Sequence, residues 1–165
     1  MNTGMDTDSY RALMRHQAGA VTVIAAGRAG HRSGITATAF SSLSDDPPAI
    51  LACVSLKSSV HAVIRETGAF TVNILANDQQ HVAEQFSGKT GLKGEDRFAG
   101  STWGMLATGA PVLEGALASL DCQLSDQHGF STHSIFIGMV QGGRFRAEAQ
   151  PLLYFRNDYW DLGPR

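Results

Sequence analysis

Apolar residues in this chain fall in short runs separated by turn residues. Residues 20–26 form such a run, Gly27-Arg-Ala-Gly30 supplies a hairpin turn, and 33–39 reads as the returning strand. Further strands are predicted over 49–54, 70–75, 135–140 and 152–155. The cleanest alternation starts after Gly115: Ala118, Leu120, Cys122 and Leu124 share one face, and Ser119, Asp121 and Gln123 the other. That pattern predicts a half-exposed antiparallel strand. Three short helices are predicted between the strands. One is capped by Asp8 or Ser9 and runs to about residue 17, one is capped by Ser58 or Ser59 and reaches 66, and one is capped by Asn77 or Asp78 and runs to about 86. Asp45-Asp-Pro-Pro48 reads as a rigid loop, and the glycine-rich, aperiodic stretch 88–104 as a surface loop. The predicted fold is therefore mainly β with short helices, an antiparallel barrel in which closure removes vulnerable edges.

Composition narrows the functional classes. The 165 residues are 43% hydrophobic, and 13 Lys+Arg against 15 Asp+Glu leave a net charge of −2. This predicts a folded single domain over 1–165, with its core over about 10–156, and no charge-driven attraction to nucleic acid or anionic lipid. Charged residues make up only 17%, against roughly 25% in an average domain. Together with 18 glycines, that favours turns, strands and a self-association surface over a helical bundle. No apolar run approaches the roughly 18 residues of a membrane span, and the opening Met1-Asn-Thr-Gly-Met-Asp lacks the features of a signal peptide. A cytoplasmic location is expected. Cys53 and Cys122 are far apart in apolar stretches, which predicts two buried thiols rather than a zinc site, a redox dithiol or a disulfide.

Most motif matches fail on context. Ala83-Glu-Gln-Phe-Ser-Gly-Lys-Thr90 fits a relaxed P-loop spacing. A P-loop needs a strand before it and a helix after it, whereas a helix is predicted before this one and Gly-Leu-Lys-Gly follows. There is no Gly-x-Gly-x-x-Gly, Gly-x-Ser-x-Gly or His-Glu-x-x-His, and the odd spacing of His128 and His133 speaks against a shared metal. Two segments remain. In 34–42, Thr36 and Thr38 share a strand face, while Ala37 and Ala39 permit close approach to something flat. In Ser55-Leu-Lys-Ser-Ser59, hydroxyls, an ammonium and a helix N-terminus form a candidate phosphate cradle. Taken from the residues alone, the plainer alternative is a threonine-rich strand before an ordinary serine-capped helix, and composition favours it modestly.

The order of short motifs adds to this. Gly34-Ile-Thr-Ala-Thr-Ala39, Ser41-Ser42, Asp46-Pro-Pro48, Val72-Asn-Ile-Leu75, Phe86-Ser-Gly88, Glu95-Asp-Arg-Phe98, Thr132-His-Ser-Ile-Phe-Ile-Gly138 and Pro151-Leu-Leu-Tyr-Phe155 together resemble the flavin reductase-like family. Within it the likeness is to the small NAD(P)H:flavin oxidoreductases of two-component aromatic monooxygenases, such as 4-hydroxyphenylacetate 3-monooxygenase. The resemblance implies an antiparallel Greek-key FMN-binding split β-barrel, a homodimer, FMN or FAD as flavin, NADH or NADPH as hydride donor, and a monooxygenase that receives reduced flavin. It implies that Thr36, Ala37, Thr38 and Ala39 line the isoalloxazine and ribityl chain, and that Ser41, Ser42, Ser55, Lys57 and Ser59 surround the phosphate. Phe86, Ser87 and Gly88 would close over the flavin, and Tyr154 would stand at the rim. His133 matches a histidine beside the ring where nicotinamide stacks, and takes the catalytic role.

Met139, where the family often has an acidic residue, and Gly129-Phe-Ser131, where Gly-Asp is frequent, depart from the pattern on the nicotinamide side. Arg11, Arg15 and Arg97 are candidates for selecting a phosphorylated nicotinamide nucleotide. Two alternatives keep the fold: a flavin-dependent corrinoid reductase, and a flavin- or haem-binding module without turnover.

Overall fold

The computed structural model describes residues 4–163. The opening weighed above as a leader thus lies partly outside the described residues, as do the ends of the domain expected over 1–165. Helix α1 (Thr7–Met14) starts at Asp6, whose carboxylate accepts from the amides of Asp8 and Ser9 at 3.1 and 2.9 Å. The cap is therefore two or three residues earlier than the predicted Asp8 or Ser9, because Asp6 reaches the free amides of the first turn. The predicted strand 20–26 divides into β1 (Gly19–Ala20) and β2 (Thr22–Ala26), which pair with different partners. Then follow β3 (Ser33–Ala37), β4 (Phe40–Asp45), β5 (Pro48–Ser55), α2 (Ser59–Thr67) and β6 (Ala69–Ile74). A 3₁₀ turn (Asn77–Gln79) leads into α3 (Gln80–Phe86), and another (Gly94–Phe98) precedes β7 (Trp103–Met105) and β8 (Pro111–Leu113). Long strands β9 (Ala118–Phe130) and β10 (His133–Phe145) form a hairpin, and short strands β11 (Leu153–Phe155) and β12 (Asp158–Trp160) finish the fold.

Seven strands make one antiparallel sheet in the order β3-β2-β6-β9-β10-β5-β4. Its two end strands, β3 and β4, are consecutive in the chain. Only Thr38 and Ala39 separate them, so the two edges of the sheet are held close together. The sheet is thereby curled toward closure, the split-barrel form. Alternation in β2 shows why both faces are apolar. Ile24 and Ala26 pack with Val54, Ile64, Phe70 and Phe136, while Val23 and Ala25 pack with Leu75, Phe86, Phe98 and Leu113. Gly68, with φ +67°, ends α2 in the left-handed region and turns the chain into β6.

Further sequence expectations change, and of the two thiols expected to be buried Cys53 is only half-buried. Asp45-Asp-Pro-Pro48 is not a separate loop but the tip of a tight hairpin, with Asp45 paired to Pro48. The stretch 88–104 is not a surface loop throughout: Phe98 is buried, and packs at 5.0 Å from Phe86 and 4.8 Å from Trp103. The polar face of β9 is not solvent-exposed where it begins. Asp121 is buried and accepts from the amide and hydroxyl of Thr108, and Ser119 Oγ donates to Asn73 Oδ1 at 2.9 Å. The segment around β8 covers this face, and hydrogen bonding makes its polar burial tolerable. The P-loop-like match is as expected preceded by a helix, α3. No helix among the described residues is long and apolar enough to cross a membrane.

Candidate functional site

Strand β3 is anchored from below by side-chain hydrogen bonds and ring packing. Thr36 Oγ1 donates to Ala83 O of α3 at 2.6 Å, and Thr22 Oγ1 donates to Ala37 O at 2.7 Å. A Cβ on Gly34 would stand 2.7 Å from the Phe86 ring, so only glycine lets that ring pack under the strand. Phe86 is therefore fully buried beneath β3 rather than on the cleft side. Arg97 is committed as well. Its Nη1 donates to Gly34 O at 3.2 Å and Phe86 O at 3.1 Å, and its Nε to Leu92 O at 2.8 Å. These bonds tie Arg97 to the support of β3.

Above β3 lies a cleft of about 330 Å³ that brings together Thr36, Ala37, Thr38, Ser87 and Tyr154. It adds Lys89, which the sequence placed only in the rejected P-loop-like match, and Tyr159, which no motif singled out. Lys89 Nζ stands 5.6 Å from the centre of the Tyr159 ring, and Tyr159 packs edge-on against Tyr154 at 5.3 Å. Burial holds the Tyr159 phenol above its ordinary pKa, helped by the charge of Glu84. It stays a neutral hydrogen-bond donor across the physiological range. Ala39 is exposed beside the cleft in the β3–β4 link, and Gly88, with φ +87°, turns the chain past Ser87.

The Ser55–Ser59 segment forms a second group. Ser58 is the N-cap of α2 yet makes no side-chain cap hydrogen bond, which leaves the first amides of the helix available. Lys57 is exposed beside them. Ser55 Oγ accepts from Lys57 N at 3.3 Å, and the Ser59 and Ser33 hydroxyls meet at 2.7 Å, which ties the helix start to β3. Amides, an ammonium and hydroxyls at the start of a nine-residue helix suit an anionic ester such as phosphate. Ser41 and Ser42 stand apart from this group. They pair with Leu51 and Ile50 of β5. At ~3.3 Å per residue, this puts Ser41 roughly 13 Å along the strand from Ser55.

His133 does not line the cleft. It opens β10, exposed, opposite Ser55, with its Nδ1 2.8 Å from Thr132 Oγ1. The Leu56 amide donates to Thr132 O at 3.0 Å, so the histidine and the cradle share one end of the sheet. Beneath them His61 Nε2 lies 2.8 Å from Ser134 Oγ, which accepts from Gln127 Nε2 at 3.0 Å. Desolvation, then the charge of Arg65, lowers the pKa of His61. His128 sits on the other strand of the hairpin, paired with Ile135, and its Nε2 is 3.1 Å from Asp126.

Comparison with known proteins adds the following. The flavin reductase like domain family matches residues 14–163. An FMN reductase (NADH), RutF, of Agrobacterium fabrum is 39% identical over 150 residues, spanning 91% of this chain and 85% of its own. Among solved structures, BorF, the flavin reductase component of a bacterial two-component tryptophan halogenase, superposes with a TM-score of 0.87 at 34% identity, covering 97% of this chain and 100% of its own. The NADH:FAD oxidoreductase SgcE6 of Streptomyces globisporus, in complex with NAD and FAD fragments, superposes with a TM-score of 0.87 at 26% identity, covering 96% and 94%.

Proposed function

Because the chain belongs to the flavin reductase-like domain family, we propose that it is an oxidoreductase that oxidises NADH and reduces FMN or FAD. The reduced flavin passes to a separate flavin-dependent oxygenase, monooxygenases being the leading class. The observation that carries this reading is the cleft where Thr36, Ala37, Thr38, Ser87 and Tyr154 converge, with a cationic helix start at the neighbouring end of the sheet.

A flavin held here supplies hydride acceptance at N5 from the nicotinamide C4, so no general base is required of the protein. The chain's own residues bind and orient. The small Ala37 lets a flat ring approach the backbone, and the apolar bodies of Tyr154 and Tyr159 exclude water from one side. Lys57, the serine hydroxyls and the free amides of α2 balance phosphate charge. His133, exposed next to Ser55, donates a hydrogen bond toward the carboxamide or the reduced ring. NADPH remains an alternative donor, and one flavin reductase-like domain spanning the chain, in the cytoplasm, is part of the same reading.

We extend the reading to a homodimer. Phe130 and Phe145 are 81% and 79% exposed at the two ends of the β9–β10 hairpin, and a second copy is the cover the resemblance implies for such residues. The deciding experiment is anaerobic. Purified protein is titrated with FMN, and NADH is then added. Loss of the flavin absorbance, at a rate that rises with free flavin, is expected. Bound flavin that NADH and NADPH both leave oxidised would instead make this a binding module. Turnover that ignores free flavin but needs cobalamin would make it a corrinoid reductase.

A further inference from the structure

A second cleft, of about 360 Å³, adjoins the first and shares its Thr38 and Tyr154 walls. Among the described residues lining it, three are arginines (Arg11, Arg15 and Arg156) and none is acidic. In a chain of net charge −2, such a concentration of positive charge calls for an anionic occupant. The arginines come from two elements that are tied together. Arg11 and Arg15 lie on and just after α1, a helix with no buried residue, and Arg156 N donates to Arg15 O at 2.9 Å. Among the described residues, the carboxylate paired with one of these arginines is Asp8, at 3.6 Å from Arg11.

Arg156 is held at a conformational cost. Arg156 and Asn157 form the two-residue turn between β11 and β12 with φ +50° and +65°, a type I′ geometry that glycine and asparagine fill easily and arginine does not. The guanidinium then lies over the Phe155 ring, 4.9 Å from its centre, presenting a charged plane beside an apolar one. A strained residue at a cleft wall marks a place where the side chain is needed.

From these features we propose that the arginine-lined cleft binds the adenosine phosphate half of a dinucleotide whose redox-active half occupies the adjoining cleft. Two contiguous clefts of similar volume match the two nucleotide halves. The guanidiniums bind phosphate, and the aromatic wall receives the base. The inference rests on the functional reading above. It leaves open by chemistry which dinucleotide supplies the half, since FAD and the nicotinamide nucleotides carry the same adenosine phosphate.

The test is calorimetric titration of the full chain with 5′-AMP, FMN, FAD and NAD⁺, for wild type and for the double variant Arg11→Gln/Arg15→Gln on the exposed helix. The double variant is expected to bind AMP about ten-fold more weakly, the order of one lost charge-assisted hydrogen bond. A matching loss for FAD alone assigns the half to the flavin, and for NAD⁺ alone to the nicotinamide nucleotide. In the wild type, AMP affinity should fall with added salt. AMP binding that is absent from the wild type, insensitive to salt, unchanged in the variant, or weakened without any loss for either dinucleotide overturns the inference while FMN binding still stands. Failure of the wild type to bind FMN overturns the functional reading and this inference with it.

Discussion

His61 lies under the cradle, bonded to Ser134 and with its ring 5.0 Å from Phe136, and its pKa is lowered by desolvation first and Arg65 second. The folded state therefore favours neutral imidazole. Because the unfolded chain binds the proton more readily, stability is full above about pH 6.5 and declines as pH falls below it. The urea midpoint is expected to drop between pH 7.5 and 5.5, and His61→Gln to flatten that drop. An unchanged slope in the variant would assign it to other groups. Cys122 is buried, and desolvation, aided by Asp121, pushes its thiol up to about 12. Native protein treated with iodoacetamide at pH 8 should leave Cys122 unmodified until denaturant is added, as peptide mapping will show. His133→Ala should raise the KM for NADH several-fold with FMN affinity nearly unchanged; loss of flavin binding by a folded variant would put His133 on the flavin instead. The candidacy of His133 was legible from its motif. Its separation from the cleft lining was not, because cross-strand register against Ser55 sets its position.

At the scale of elements, Glu95 latches the 88–104 segment to β3. Its carboxylate accepts from the Arg32 guanidinium and, at 2.8 Å, from the Arg32 amide, which together hold it below the usual carboxylate range. A depressed folded pKa gives stability that is present above about pH 4.5 and lost as pH falls further. Glu95→Ala should cost on the order of 1 kcal/mol in this partly exposed site. It should also admit limited proteolysis within 88–104, and cleavage no faster than in the wild type would count against the latch. Arg156→Asn should raise stability by about 0.5–1 kcal/mol through relief of the positive φ. A lower unfolding midpoint would show that Arg156 packing outweighs the strain. The predicted strands lay where apolar runs are bounded by glycine or proline, and those strands are present. Strands β4 and β12 carry no such signal, for physical reasons. Phe40-Ser-Ser-Leu-Ser-Asp45 is polar on an edge, and Arg156-Asn157 replaces the glycine-bearing turn that announces a hairpin.

For the whole molecule, the proposed homodimer would cover the exposed phenylalanines of the long hairpin and account for the low charged fraction, and sedimentation should then give twice the monomer mass. Phe130→Asp is expected to shift that equilibrium toward monomer, and a wild-type monomer would remove the explanation for the low charge. The sequence by itself determined the β-rich class, the three helices, the rejection of a P-loop and the family, because each depends on local pattern or on motif order along the chain. Tertiary structure alone decided which candidates meet. It gathered Thr36, Ala37, Thr38, Ser87 and Tyr154 with Lys89 and Tyr159, moved Phe86 and Arg97 into supporting roles, and set Ser41 and Ser42 apart from the cradle. It also placed three arginines from opposite ends of the chain in one cleft. The reason is that cross-strand register and the curl of the sheet bring together residues far apart in sequence, and no short-range pattern encodes that proximity.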